Sequence, residues 1–322
     1  MTLDEFLNEW NSPADTLLVH TSGSTGRPKP MRVEKRRMLN SARITCDFLS
    51  LHPGDTALLC MPLDYIAGKM MVVRSIERHL QLVSVPPSGH PLCGVDEPIT
   101  FAAMVPLQVY NSLQTPEERE KLRNIRHLII GGGAVDDNVQ QQLAHFPNAV
   151  WSTYGMTETL SHIALRRLNG PSASQWYTPF NGVEVDLNAE GCLVINAPLV
   201  HEGLLQTNDI AEIDGRCFRI KGRRDNVIDT GGIKVQIEEV EQMLRPHMSA
   251  PFVITKRGDA KYGDMIVLLT EMADEAEADR ICKNVLPKYW QPKGIKHVDA
   301  IPVTQTGKPA RAEAERLAAE LL

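Results

Sequence analysis

Thr21-Ser22-Gly23-Ser24-Thr25-Gly26-Arg27-Pro28-Lys29 directly follows Thr16-Leu17-Leu18-Val19-His20, an apolar run that reads as a buried strand. Gly23 and Gly26 let the backbone turn tightly and approach a ligand. The hydroxyls of Thr21, Ser22, Ser24 and Thr25, with the N–H groups of such a turn, form an anion-binding nest, and Lys29 adds a positive charge. The set suits a polyphosphate. It is not a Walker A loop, because no Gly-Lys-Ser/Thr closes it. Taken alone, a Gly/Ser/Thr string is equally ordinary loop material.

A chain of 322 residues can hold two domains. A net charge of −6 gives no basic field for nucleic acid, and Lys35-Arg36-Arg37 reads as the solvated face of a helix. The cysteines (Cys46, Cys60, Cys93, Cys192, Cys217 and Cys282) form no C-x-x-C pair, which argues against a zinc cluster or a disulfide scaffold. The acidic, amphipathic first eleven residues do not read as a signal peptide, and no apolar run approaches the length of a membrane span. A cytoplasmic protein with no nucleic-acid or membrane partner is expected.

Working outward, a helix is expected over 3–10 and another over 34–49. Strands are expected at 56–61, 81–85, 99–105, 128–130 and 149–151, and helices over 66–79, 106–113 and 116–123. This alternation signals an α/β sheet with crossover helices. From 182 to 220 the pattern changes to short strands (183–187, 192–196, 210–213 and 217–220) that suggest an antiparallel sheet or small barrel. Beyond it, helices at 236–244, 273–285 and from 310, with strands at 252–255, 265–269 and 295–298, make a small α+β domain.

Further motifs follow the first loop in order: Pro62-Leu63-Asp64-Tyr65-Ile66-Ala67-Gly68, Gly131-Gly132-Gly133-Ala134, Tyr154-Gly155-Met156-Thr157-Glu158, Thr207-Asn208-Asp209, Gly222-Arg223-Arg224-Asp225, and Pro302-Val303-Thr304-Gln305-Thr306-Gly307-Lys308-Pro309-Ala310-Arg311. The ordered set resembles the acyl- and aryl-adenylating superfamily of acyl-CoA synthetases, luciferases and adenylation domains. The resemblance implies a large N-terminal α/β domain (1–224, with a β subdomain at about 182–220) and a small mobile α+β domain (225–322). Thr21, Ser22, Gly23, Ser24, Thr25, Gly26 and Lys29 would hold phosphates. Gly131, Gly132, Gly133 and Ala134 would wall the adenine, with Tyr154 stacking on it beside Gly155 and Met156. Thr157 would bond a phosphate oxygen and Glu158 would ligate Mg²⁺. Asp209 would take the ribose hydroxyls, and Arg223 the ribose or phosphates. Asp225 would be the hinge, Gly231-Gly232 a flexible loop and Lys308 the catalytic lysine.

Two departures stand out. Asn208 replaces the family's glycine before Asp209, and a turn survives if Asn208 takes positive φ. The phosphate loop starts at residue 21, far earlier than in the family, so the shortened surface would be native to a compact ligase, or supplied by a partner or by a second copy in a homodimer. Tyr65 stands where the family commonly has His, and reads either as a wall of the acyl pocket or as a core tyrosine. Lys69 and Arg74 follow on the same helix, and the stretch looks most like o-succinylbenzoate–CoA ligases of menaquinone synthesis. There an Arg at the spacing of Arg74 faces the substrate, whereas the sequence alone favours a surface salt bridge. The implied reaction joins a carboxylic acid to AMP from ATP·Mg²⁺, and then to coenzyme A. Another acyl or aryl acid, a carrier-protein thiol, and a non-catalytic nucleotide-binding module stay open.

Overall fold

Leu128, Ile129 and Ile130 are buried on both faces, as parallel strands sandwiched between helices must be. The computed structural model describes residues 1–20, 30–259, 263–304 and 309–320. It divides into two compact units. The first comprises Met1–Asp186, Val194–Leu205 and Ile213–Arg219, and the second Leu187–Leu193, Gln206–Glu212 and Ile220–Leu322.

The first unit begins with α1 (Leu3–Trp10), started by a capping box in which the Thr2 hydroxyl accepts from the Glu5 N–H and the Glu5 carboxylate accepts from the Thr2 N–H. β1 (Thr16–His20) pairs antiparallel with β2 (Pro30–Glu34). The reading of 16–20 as a fully buried strand is corrected, because Leu17 and Val19 are buried while Leu18 is exposed. β2 escaped notice because Pro30 opens it, a position proline tolerates.

Next come α2 (Lys35–Phe48), β3 (Thr56–Leu59), α3 (Ile66–Arg78), β4 (Gln81–Ser84), β5 (Phe101–Met104), α4 (Pro106–Gln114), α5 (Pro116–Asn124), β6 (His127–Ile130), α6 (Asp137–Leu143), β7 (Ala149–Gly155), β8 (His162–Arg167) and β9 (Thr178–Pro179). They build a seven-stranded sheet of order β4-β3-β5-β6-β7-β8-β9. β4 through β7 in that order are parallel, whereas β8 and β9 are antiparallel. Chain order reverses between β3 and β5, and in such sheets a ligand crevice lies outside the carboxyl ends of the strands at that point.

A four-stranded sheet of order β10 (Glu184–Leu187), β11 (Cys192–Asn196), β12 (Leu204–Asp214) and β13 (Cys217–Arg223) follows, with segments assigned to each unit. β12 is longer than expected and absorbs Thr207-Asn208-Asp209. The expected turn is therefore corrected: positive φ among non-glycine described residues occurs at Ser50, His79 and Leu160, and Asn208 is ordinary strand.

In the second unit β14 (Val227–Thr230) and β15 (Ile233–Gln236) form a hairpin. Gly231 and Gly232 both take positive φ (62° and 82°), the twist that two-residue hairpin turns favour, so they make a tight turn where a loose loop was expected. α7 (Ile237–Leu244), β16 (Phe252–Asp259), β17 (Gly263–Thr270), α8 (Glu275–Val285), β18 (Gly294–His297) and α9 (Arg311–Ala319) complete the unit. Side chains of β16 and β17 alternate between two cores. Ile254, Ile266 and Leu268 pack with residues of α7 and α8, and Val253, Val267 and Leu269 pack with Ala314 and Ala318 of α9.

Candidate active site

In the first unit, the predicted motifs gather at one end of the sheet. Pro62–Gly68 follows β3, Gly131–Ala134 follows β6, and Gly155–Glu158 ends β7. Backbone packing explains the glycines. A Cβ on Gly68 would stand 2.3 Å from the Pro62 carbonyl oxygen, and one on Gly155 would stand 2.2 Å from that of Ser161. One on Gly131 would meet the Thr153 hydroxyl at 2.5 Å, while its N–H donates to the Met104 carbonyl at 3.0 Å. Gly155 also sits at the register irregularity between β7 and β8.

Tyr154 packs edge-on to Phe218 (5.0 Å between centroids) and tilted against Tyr177 (5.8 Å), whose hydroxyl is 2.9 Å from that of Ser152. Sequence reasoning missed Tyr177 and Phe218, because strand pairing brings them together from distant positions. The Met156 N–H donates to the Thr159 hydroxyl, and Thr157 is buried. Glu158 is half-buried, and its carboxylate makes no hydrogen bond or ion pair among the described residues. One free carboxylate suits Mg²⁺, which binds one or two carboxylates plus substrate phosphates. No group of three or more His, Cys, Asp or Glu able to hold a metal occurs among the described residues.

α3 carries Tyr65, Lys69 and Arg74 to different places. Tyr65 is the half-buried N-cap. Lys69 is buried with its ammonium 5.2 Å over the Phe6 ring and 3.1 Å from the Met1 sulfur, and burial lowers its pKa. Arg74 is buried at 2% exposure, which corrects the surface salt bridge that its sequence alone favours. Its Nη2 donates to the Ser161 hydroxyl at 2.5 Å, its guanidinium lies 6.0 Å over the Phe101 ring, and its Nε has no partner. Among the described residues no carboxylate pairs with it, and burial lowers its pKa to about 10. The signal was present in α3 itself: Met70-Met71-Val72-Val73 runs apolar right around the helix, and a helix covered on all sides carries its cations inward.

In the second unit, Arg223 bridges Asp209 (3.1 Å) and Asp225 (2.9 Å), and Asn208 donates to the Asp225 carboxylate at 3.2 Å. Arg311 binds Glu241 through two parallel bonds of 2.6 and 2.8 Å, and Glu241 also accepts from the Ile254 N–H at 2.9 Å. This clamp lies beside the pairing of Val303 with Pro309. Lys308, the predicted catalytic lysine, and Thr21 to Lys29, the predicted phosphate loop, lie outside the described residues.

The model of the family described as AMP-binding enzyme matches residues 4–196. The chain belongs to this AMP-binding enzyme family, in the class of AMP-forming acid–CoA ligases. A solved acyl-CoA synthetase (AMP-forming)/AMP-acid ligase II-like protein from Dyadobacter fermentans is 35% identical, with 96% of this chain and 91% of that one covered and a TM-score of 0.66. The 2-succinylbenzoate–CoA ligase of Bacillus cereus is 24% identical over 94% of this chain and 70% of its own. The o-succinylbenzoate coenzyme A synthetase MenE of Bacillus subtilis, solved in complex with ATP and magnesium ion, has a TM-score of 0.77 at 21% identity, covering 92% of this chain and 69% of its own. The fold is that of adenylate-forming enzymes. Among the described residues no helix is long and apolar enough to cross a membrane.

Proposed function

We propose that the protein is an o-succinylbenzoate–CoA ligase that uses ATP and Mg²⁺. The observation that carries this reading is Arg74, a buried guanidinium with an unpartnered Nε and no acidic partner among the described residues. A cation so placed is costly unless an anion joins it, and a guanidinium fork matches a carboxylate. A substrate with a second carboxylate, besides the one that reacts, would supply that anion. The names of the curated relatives support the same substrate.

In the proposed reaction the substrate carboxylate attacks the α-phosphorus of ATP. A new O–P bond forms, and the bond to the bridging oxygen of the β-phosphate breaks, releasing pyrophosphate. The coenzyme A sulfur then bonds to the acyl carbon, the C–O bond to AMP breaks and the thiol proton leaves to solvent. Both halves bring anions together, so positioned donors and cations matter more than proton transfer. Thr21 to Gly26 and Lys29 would hold the phosphates, with Thr157 and, for Mg²⁺, Glu158. Gly131 to Ala134 and Tyr154 to Met156 would hold the adenine, and Asp209 and Arg223 the ribose. Lys308 would bridge the attacking carboxylate and the phosphate. A hinge at Asp225, between domains 1–224 and 225–322, would withdraw Lys308 for the thiol step.

The test is release of pyrophosphate and AMP by purified protein with ATP, Mg²⁺, coenzyme A and o-succinylbenzoate, against benzoates and fatty acids. Turnover confined to o-succinylbenzoate is expected. Preference for a monocarboxylic acid overturns the substrate assignment.

A further inference from the structure

The hydrogen bonds that lead away from Arg74 form a chain. Its Nη2 donates to Ser161 Oγ (2.5 Å), Ser161 Oγ lies 3.1 Å from His162 Nδ1, His162 Nε2 lies 3.1 Å from Thr45 Oγ1, and Thr45 Oγ1 lies 3.1 Å from the Ser41 carbonyl oxygen on α2. Thr45, His162 and Arg74 are all buried.

Counting protons gives this chain a direction. Arginine only donates, so Ser161 accepts from it and has one proton to give. If His162 carries its proton on Nε2, Ser161 donates to Nδ1, Nε2 donates to Thr45, and Thr45 donates to the Ser41 carbonyl. Every donor is then used. With the proton on Nδ1, Thr45 must turn from Ser41 toward Nε2, and the Ser161 proton loses its place in the chain. An imidazolium would still donate from Nε2 to Thr45, but its Nδ1–H would also point at Ser161 and take away the acceptor of the Ser161 proton.

We propose that His162, neutral and protonated on Nε2, is a positioning residue that fixes the Ser161 hydroxyl and through it the Arg74 guanidinium, so that Arg74 meets the second carboxylate of the substrate in one orientation. This rests on the o-succinylbenzoate reading above. No member of the relay is among the residues proposed above for the reacting carboxylate or the nucleotide. It acts on one end of the acid, and its role is to separate diacids from monoacids. Burial, with the Arg74 charge adding to it, keeps His162 well below its ordinary pKa, in keeping with a neutral ring.

Asparagine can present a carbonyl oxygen near the position of Nδ1, whereas leucine presents no polar atom. His162→Leu is expected to raise the KM for o-succinylbenzoate about tenfold or more, as expected when a buried hydrogen-bond partner is lost, with the KM for ATP and the kcat moving less than about twofold. His162→Asn should recover most of that KM. A tenfold loss shared equally by the KM for ATP, or no recovery by His162→Asn, overturns the positioning role. Arg74→Met, measured in parallel, separates the two ideas. If it leaves the KM for o-succinylbenzoate unchanged, the substrate reading fails. If it raises that KM and His162→Leu does not, the relay alone fails. Imidazole ¹⁵N shifts of the intact wild-type protein give a test independent of turnover and of any variant's folding: a bare Nδ1 and a protonated Nε2 are expected, and a proton on Nδ1 overturns the proposal.

Discussion

Two arginines carry a guanidinium into the protein interior and meet opposite surroundings. Arg311 is locked by both carboxylate oxygens of Glu241 and by the Ile254 carbonyl. Burial alone would lower its pKa, but the Glu241 carboxylate more than offsets this and the pKa is raised. Arg74 meets a hydroxyl, a thioether and a ring face, and burial leaves its pKa lowered. The first is a satisfied pair whose value is structural. The second is a charge held at a cost to the fold, as ligand-binding groups commonly are. The contrast gives opposite signs for mutations of the same chemical kind.

The largest effect is expected at the closed pair. Glu241→Leu strands Arg311 and the Ile254 N–H, and should cost about 3–5 kcal/mol, read from the midpoint and slope of urea unfolding. A loss under about 1 kcal/mol would erase the contrast. Arg74→Met should have the other sign on stability, from neutral to a gain of about 1–4 kcal/mol, because a hydrophobe of similar volume replaces an uncompensated buried cation. The same variant should bind o-succinylbenzoate worse, so stability and KM rise together. A loss of more than about 2 kcal/mol would make Arg74 a structural residue like Arg311.

A smaller effect sharpens the picture at His162. Its folded pKa lies well below 6.5, so below that pH the unfolded chain binds a proton that the folded chain refuses. Stability should therefore fall as pH drops under 6.5, by about 1.4 kcal/mol per unit from this residue, and stay level above it. His162→Asn should flatten that slope, and an unchanged slope would assign the acid sensitivity to other groups. The smallest effect is expected at Asp225, whose pair with Arg223 is more than a third exposed on both sides. Asp225→Asn should shift stability by under about 1 kcal/mol. A larger loss would make that pair a structural clamp rather than part of a hinge.

Much of the fold was legible because period and punctuation agree along the chain. The run Leu128–Ile130 ending in glycines and the proline that starts α5 each have one cheap local solution. Residues whose conformation depends on partners far along the chain were not legible. Asn208 looks like a turn residue, yet a long strand absorbs it and its amide goes to Asp225. β8, with Ser161 just before it and His162 at its start, was not legible, because its place is set by antiparallel pairing with β7. The meaning of Ser161 and His162 comes from Arg74 and Thr45, 87 and 117 residues away in sequence. The pairing of Glu241 with Arg311 was not legible either, because 70 residues separate the two.

The reversal of direction from β7 to β8 has a consequence for spacing within the site. Had β8 continued the parallel order, a crossover of a dozen or more residues would separate the strands. Antiparallel pairing of Gly155 with His162 leaves residues 156–161 as the whole connection. One short covalent turn thus joins Tyr154 and Glu158, proposed for the nucleotide, to Ser161 and His162, proposed for the far carboxylate. Leu160 within it holds φ at 64°, strained for a leucine. A turn this short and this constrained has few conformations to offer, so it would hold the two proposed subsites at a fixed spacing. The two substrates of the first half-reaction would then be seated side by side by one segment, each on its own residues.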